Sequence, residues 1–379
     1  EAMTWTANSV LAGWAAEDIT PSKPVELCGQ YYQRVSTHVR DRLFATALAL
    51  ESAQRGPGKA QAILMSVDLV SVNRDLLKDL RSRLRLSLPG FDASRLILNA
   101  IHTHNAPPAK ALFNWWTPDP RAITAEEYRP LLLDAMERAA VAAWKSRAPA
   151  GVASTLEHAT VGHCRRAMYA DGSAEMYGRT DRPDFIGMEA GEDSGVDLLF
   201  FRDGRGQPTG VVVNLACPAQ VMEATYCVTA DYVGEMRRNL RQRFPKDFHV
   251  LAQIAPAGDQ SPRDLARNYR GEPDMWNESG VVEVGRRLAE AVERGFASVS
   301  PARVRRLPFR HTVASVRLPL RRVSKAEVRQ ARRVLKDLLA NEPKDPRSPR
   351  AAFSRFVAQI KANERKGGPG PYDSKLHDF

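Results

Sequence analysis

The sequence predicts an α/β protein with layered mixed sheets flanked by helices. Three observations predict it. Apolar runs of strand length alternate with longer amphipathic stretches from residue 62 onward. The chain has 379 residues, enough to bury a large core. Its hydrophobic content is 43%, yet no apolar run approaches the roughly 20 residues that a membrane helix needs.

Each element follows from its own pattern. AILMSVDLV (62–70) reads as a strand, NRDLLKDLRSRLRLSL (73–88) as a helix and RLILNAI (95–101) as a second strand. EEYRPLLLDAMERAAVAAW (126–144) has helical spacing, and Thr124 with Glu127 forms a capping box ahead of it. Pro130 sits deeper than a first turn. DLLFF (197–201) and GVVVNLACPAQV (210–221) are strands, followed by a helix over YVGEMRRNLRQRF (232–244) and a strand in FHVLAQIAPAG (248–258). A helix over GVVEVGRRLAEAVERGF (280–296) comes next, and VRRLPFRHTVASVRLPL (304–320) suggests strand structure. The turn-rich stretches 105–123 and 162–195 are long enough to mark function or disorder.

The net charge of +11 resembles a nucleic-acid footprint until it is located. Residues 1–300 hold 35 Lys/Arg against 37 Asp/Glu, whereas residues 301–379 hold 20 against 7. The excess belongs to RRVSKAEVRQARRVLKDLL (321–339), an amphipathic helix with Val328, Val334 and Leu338 expected inward and arginines outward. No zinc-finger, RNA-recognition or P-loop pattern accompanies it, so no nucleic-acid partner is expected. The four cysteines Cys28, Cys164, Cys217 and Cys227 are too scattered for a disulfide framework. Buried thiols are the expectation, although Cys217 and Cys227 could bridge if the intervening loop folds back.

Three segments carry candidate chemistry. In LILNAIHTHNAPP (96–108), His102 and His104 are two residues apart and would share one face of a strand, able to meet one metal ion or substrate. APAGDQSPRD (255–264) places Asp259 and Ser261 in a turn after a strand, where α/β sheets present reactive groups. VGHCRRAMYADGSAEMYGRTDRPDF (161–185) gathers Arg165, Arg166, Arg179 and Arg182 with Tyr169 and Tyr177. These guanidinium groups suit a carboxylate or a developing oxyanion.

Taken in order, AGWAAEDITP, VRDRLFATALAL, AILMSVDLV, IHTHNAPP, VVVNLACPAQV, TADY and AGDQSP resemble the neutral/alkaline non-lysosomal ceramidase family across most of residues 10–265. The resemblance implies that family's α/β catalytic domain over residues 1–300, with 301–379 belonging to the same domain and cut short at Phe379. It implies an amide-cleaving hydrolase, secreted or periplasmic, in which His102 is a zinc ligand and His104 assists catalysis. Ser261 would be a nucleophile or a hydrogen-bonding group beside Asp259. Arg165, with Arg166 as the alternative in CRRA, would meet the reacting carbonyl.

The departures are specific. Pro218 stands where the family's second zinc histidine falls, and its remaining zinc ligands lie beyond Phe379, so weak or absent zinc is expected. Two other readings share the scaffold. One is an enzyme on acidic, uronate-bearing glycans, with Arg166, Arg179 and Tyr177 holding the carboxylate and Tyr31, Tyr32, Trp115 and Trp116 stacking on sugars. The other is a non-catalytic binding protein.

Overall fold

A computed structural model describes residues 10–30, 32–52, 59–110, 119–273, 275–299 and 309–341, with 351, 354 and 358. The first half runs β1 (Val10–Asp18), β2 (His38–Val39), β3 (Phe44–Ser52), β4 (Gln61–Val67), α1 (Arg74–Ser87), β5 (Leu96–Ala100), α2 (Ala125–Lys145) and β6 (Ala148–His158). Four short strands follow: β7 (His163–Cys164), β8 (Arg166–Tyr169), β9 (Ala174–Met176) and β10 (Phe185–Met188). The rest is β11 (Gly195–Arg202), β12 (Pro208–Leu215), β13 (Cys227–Val228), α3 (Asp231–Leu240), β14 (His249–Ile254), β15 (Gln260–Ser261), α4 (Leu265–Tyr269), α5 (Asn277–Ser298) and α6 (Lys325–Ala340).

Eight strands form one mixed sheet in the order β14-β12-β11-β6-β1-β3-β4-β5. The pairs β12/β14 and β4/β5 are parallel and the others antiparallel. Its two halves are joined by strand pairing through Val10–Ala12 and Ala148–Ala150, and across that narrow join the sheet folds back on itself. Ser66 Oγ and Asn99 Nδ2, from β4 and β5, both donate to the carbonyl of Ala252 on β14. Val10, Leu48, Leu50, Phe201, Val212 and Leu251 fill the space between the halves. α2 covers β1 and β3, while α5 covers β6 and β11. The architecture is therefore helix, sheet, sheet, helix.

The helices obey their local chemistry. Asn73 caps α1 by accepting from Leu76 N–H, and Leu76, Leu80 and Leu84 recur at four-residue spacing to make its buried face. The Thr124/Glu127 capping box starts α2, and Pro130 is held inside the helix. Asp68 at the end of β4 takes a two-pronged contact from Arg237 of α3, wholly inside the protein.

All four cysteines are free thiols, and Cys164, Cys217 and Cys227 are buried, as expected of scattered cysteines. Three sequence expectations need correction. The stretch 162–195 carries a small sheet, β10-β8-β9, instead of only turns. In 304–320, the described part 309–320 carries no strand, because no described strand lies alongside to pair with it. The basic helix forms as expected, with its own Ser324/Glu327 capping box, but its apolar face is not turned inward. Val328 is 37% exposed and Val334 54%, since nothing described packs on them. The side chain of Leu338 and the GGPGPYDSKLHDF terminus lie outside the described residues.

Candidate active site

β5 ends at Ala100, so His102 and His104 sit beyond the strand and the two-residue alternation does not place them. His102 instead adopts the left-handed backbone region, φ 65°, which turns the chain sharply. The imidazoles meet edge to face with centroids 5.1 Å apart, and their Nε2 atoms are separated by 3.4 Å.

Each ring is fixed from behind. His102 Nδ1 lies 2.8 Å from the carbonyl of Val70, an acceptor only, so Nδ1 carries the proton and Nε2 keeps a lone pair. Burial, the neighbouring His104 and the charge of Arg165 push His102 down to about 4. Glu223 Oε2 lies 2.9 Å from His104 Nδ1, an ion-pair distance reached off the hydrogen-bond direction. The carboxylate thus favours the same tautomer in His104. That leaves its Nε2 to accept from the Gln220 side-chain amide at 2.7 Å, while Gln220 Oε1 is buried without a partner.

The loops that carry this array are pinned by Arg34, which is 1% exposed. Its guanidinium donates to the carbonyls of Cys28, His104 and Thr225, tying three loops together. Asn105 adds bonds to Cys227 O and Thr225 Oγ1, and Thr103 Oγ1 donates to Thr229 O. Gly29, at φ +103°, lies flat against the His104 ring, where an added Cβ would come within 2.3 Å of Cγ. Asp231 holds the Gln220 turn by accepting from the N–H groups of Val221 and Met222.

A second group assembles around the 258–263 turn. Arg165 donates through Nε and NH2 to Gly258 O, its own N–H bonds to Asp259 O, and NH1 reaches the Tyr177 hydroxyl at 3.5 Å. Tyr177 OH is in turn 3.5 Å from Ser261 Oγ, a long contact. Ser261 is fully buried, and its hydroxyl accepts from Arg263 N–H at 3.2 Å, closing the turn. Asp259 is exposed, and Gln260 Nε2 meets its carboxylate. The charge of Arg165 is one of the causes that lower His102, after burial and His104.

The remaining described candidate arginines are engaged with local carboxylates. Arg166 is paired with Glu189, and Arg179 grips Asp181 with two nitrogens. Arg182 does the same to Asp184. Trp115, Trp116 and Tyr31 lie outside the described residues. Sequence reading did not find Arg34, Gly29, Gln220 or Glu223. For Gln220 and Glu223 the one available signal was the quoted VVVNLACPAQV segment, which contains Gln220 and ends two residues before Glu223; Arg34 and Gly29 carried none.

The zinc implied by the resemblance can be tested against these donors. Two imidazole nitrogens 3.4 Å apart match the span of two ligands on tetrahedral zinc with bonds of about 2.0–2.1 Å. A catalytic zinc takes three protein ligands, and no group of three His, Cys, Asp or Glu suited to a metal occurs among the described residues. Pro218 has no donor to offer. The Cys217 thiol is pushed well above its usual range by burial and donates to Val161 O, so it is no thiolate ligand. Among the described residues His102 and His104 supply two of the three protein donors that a catalytic zinc takes, and no step below runs through a metal.

These features define a four-layer α/β domain that presents a carboxylate-backed histidine pair from the loop after a parallel strand. No family model and no curated relative matches the chain. Its fold is that of the neutral ceramidases. A ceramidase complexed with C2 superposes with a TM-score of 0.61 at 19% identity, covering 76% of this chain and 44% of that one. The neutral ceramidase from Pseudomonas aeruginosa gives 0.61 at 20% identity, covering 76% and 45%. The chain thus spans less than half the length of these structures.

Proposed function

We propose that the chain is a hydrolase that cleaves an amide-like bond in a lipid or glycoconjugate, with water activated at His104. The observation that supports this most is the Glu223–His104–His102 array on a fold shared with ceramidases. In this reading Gln220 yields His104 Nε2 to the attacking water, the ring takes its proton as the oxygen adds to the carbonyl, and the ring returns that proton to the nitrogen as the C–N bond breaks, releasing a carboxylic acid and an amine. Glu223 balances the imidazolium charge between these steps. Arg165, held by the turn at Gly258, stabilises the oxygen of the carbonyl as charge develops on it. Tyr177 and Ser261 act as hydrogen-bonding groups on that side, and Asp259 positions Arg165 through its backbone carbonyl. A uronate-binding role for Arg166 and Arg179 gains little support, because each guanidinium is already met by a local carboxylate.

The test compares fatty-acid release from short-chain N-acyl lipid amides with turnover of uronate-bearing glycans, for the 379-residue chain and its His104→Ala variant. Amide cleavage that falls at least about a hundredfold in the variant is expected. Turnover of glycans in place of amides, or amide cleavage unaffected by His104→Ala, would end this reading.

A further inference from the structure

The stretch after α5 behaves unlike the rest of the molecule. Phe309 packs against the apolar layer between the two sheet halves, and His311 bonds to the carbonyl of Gln61. Beyond that anchor the side chains face outward. Leu318 is 81% exposed and Leu320 78%, and Val313, Val316 and Val323 are exposed with them. At 3.6 residues per turn, Val328, Ala331 and Leu335 form one stripe along α6, and Arg329, Arg332, Arg333 and Lys336 run down one side of it. Residues 309–341 carry nine Lys/Arg against two Asp/Glu, while residues 1–300 are near neutral.

We infer that residues 309–341 form an arm that docks on an anionic lipid surface, with α6 lying in the plane of the headgroups. A helix with an apolar stripe, a basic flank and low overall hydrophobicity gains from burying the stripe at the acyl boundary while its cations stay among the headgroups. The length fits lying on the surface: sixteen residues span about 24 Å, and no described helix is long and apolar enough to cross a membrane. Nucleic acid would use the arginines and leave the stripe in water. A second copy of this chain would offer the nine cations a body whose charges nearly cancel. Anionic lipid uses both features at once. The anchor at Phe309 and His311 sets where the arm leaves the folded body, at the start of β4. The inference is independent of the hydrolase reading.

Vesicle sedimentation with the 379-residue chain tests it. The comparison is phosphatidylcholine alone against phosphatidylcholine with about 30 mol % phosphatidylglycerol. The expected result is partition at least about tenfold stronger on the anionic vesicles, weakening as salt rises. Replacing Arg329, Arg332 and Arg333 together by Gln should lower it about tenfold or more. Val328→Ser with Leu335→Ser, which leaves the charge unchanged, should lower it by about tenfold through loss of the apolar stripe. These side chains are exposed or half-buried, so the body folds without them, and His104→Ala should bind as the parent does. Equal partition on both vesicles, or variants that bind like the parent, would overturn the proposal. So would a dimer in solution that Leu335→Ser dissociates, or duplex DNA that displaces the chain from vesicles at physiological salt.

Discussion

Gly29→Ala tests whether the His104 ring is held by close packing as well as by its polar partners. The new Cβ would sit 2.3 Å from Cγ of His104, about 1 Å short of the 3.4 Å at which ordinary contact begins. His104 is buried and backed by Glu223 and Gln220, so the ring cannot yield without loosening those contacts. Two costs add. An alanine at φ +103° costs on the order of 1–3 kcal/mol in backbone strain, and overpacking a filled site costs about 1–3 kcal/mol more. Gly172→Ala separates them, because Gly172 also has a positive φ, +81°, but has nothing within 4 Å of the added carbon. Urea unfolding should show Gly29→Ala less stable than Gly172→Ala by about 1–3 kcal/mol. Ring displacement of about 1 Å should also lower turnover on the order of a hundredfold in Gly29→Ala alone. If the two variants lose equal stability and both keep activity, Gly29 is not the seat of His104 and the packing argument fails.

Three further outcomes are expected. Glu223→Gln keeps the volume beside His104 Nδ1 but removes its charge, so turnover should drop roughly tenfold to a hundredfold with the thermal midpoint little changed; undiminished turnover would separate Glu223 from the chemistry. Burial pushes Asp231 up to about 6 from 3.8, so the folded state holds a proton that the unfolded state releases, and this group's contribution to stability falls as pH rises between those values. The fall should amount to at most about 3 kcal/mol, and a stability profile of Asp231→Asn that retains the same slope would refute it. Elemental analysis of purified protein should find zinc well below one equivalent, and tight stoichiometric zinc would mean that a third donor has been missed.

Much of the scaffold was legible because periodicity and capping are local. The Thr124/Glu127 box sits where a helix begins, and the apolar runs around residues 62, 96, 197, 210 and 249 became strands of one sheet. The nearness of His102 and His104 was also legible, though for the wrong reason: a left-handed turn at His102 brings the rings together, and strand alternation plays no part. Arg34 and Glu223 were not, because each acts across the fold on residues far away in sequence. Arg34 reads as one polar residue among tyrosines and glutamine until Thr225 arrives beside it. The burial of α6 was misjudged because an amphipathic pattern says that a face wants covering and never says by what.

Arg34 ties together backbone carbonyls 6, 70 and 191 positions away along the chain. A clamp of that span closes only after the first and second halves of the sequence have both come together, so the histidine loop cannot be fixed in its shape before they meet. The same span governs how the loop is lost. Releasing one of the three carbonyls leaves a buried guanidinium short of a partner, and the other two contacts then hold less firmly. The loops around residues 28, 104 and 225 therefore open as one cooperative unit, exchanging their protected amides together while the strands beneath remain closed.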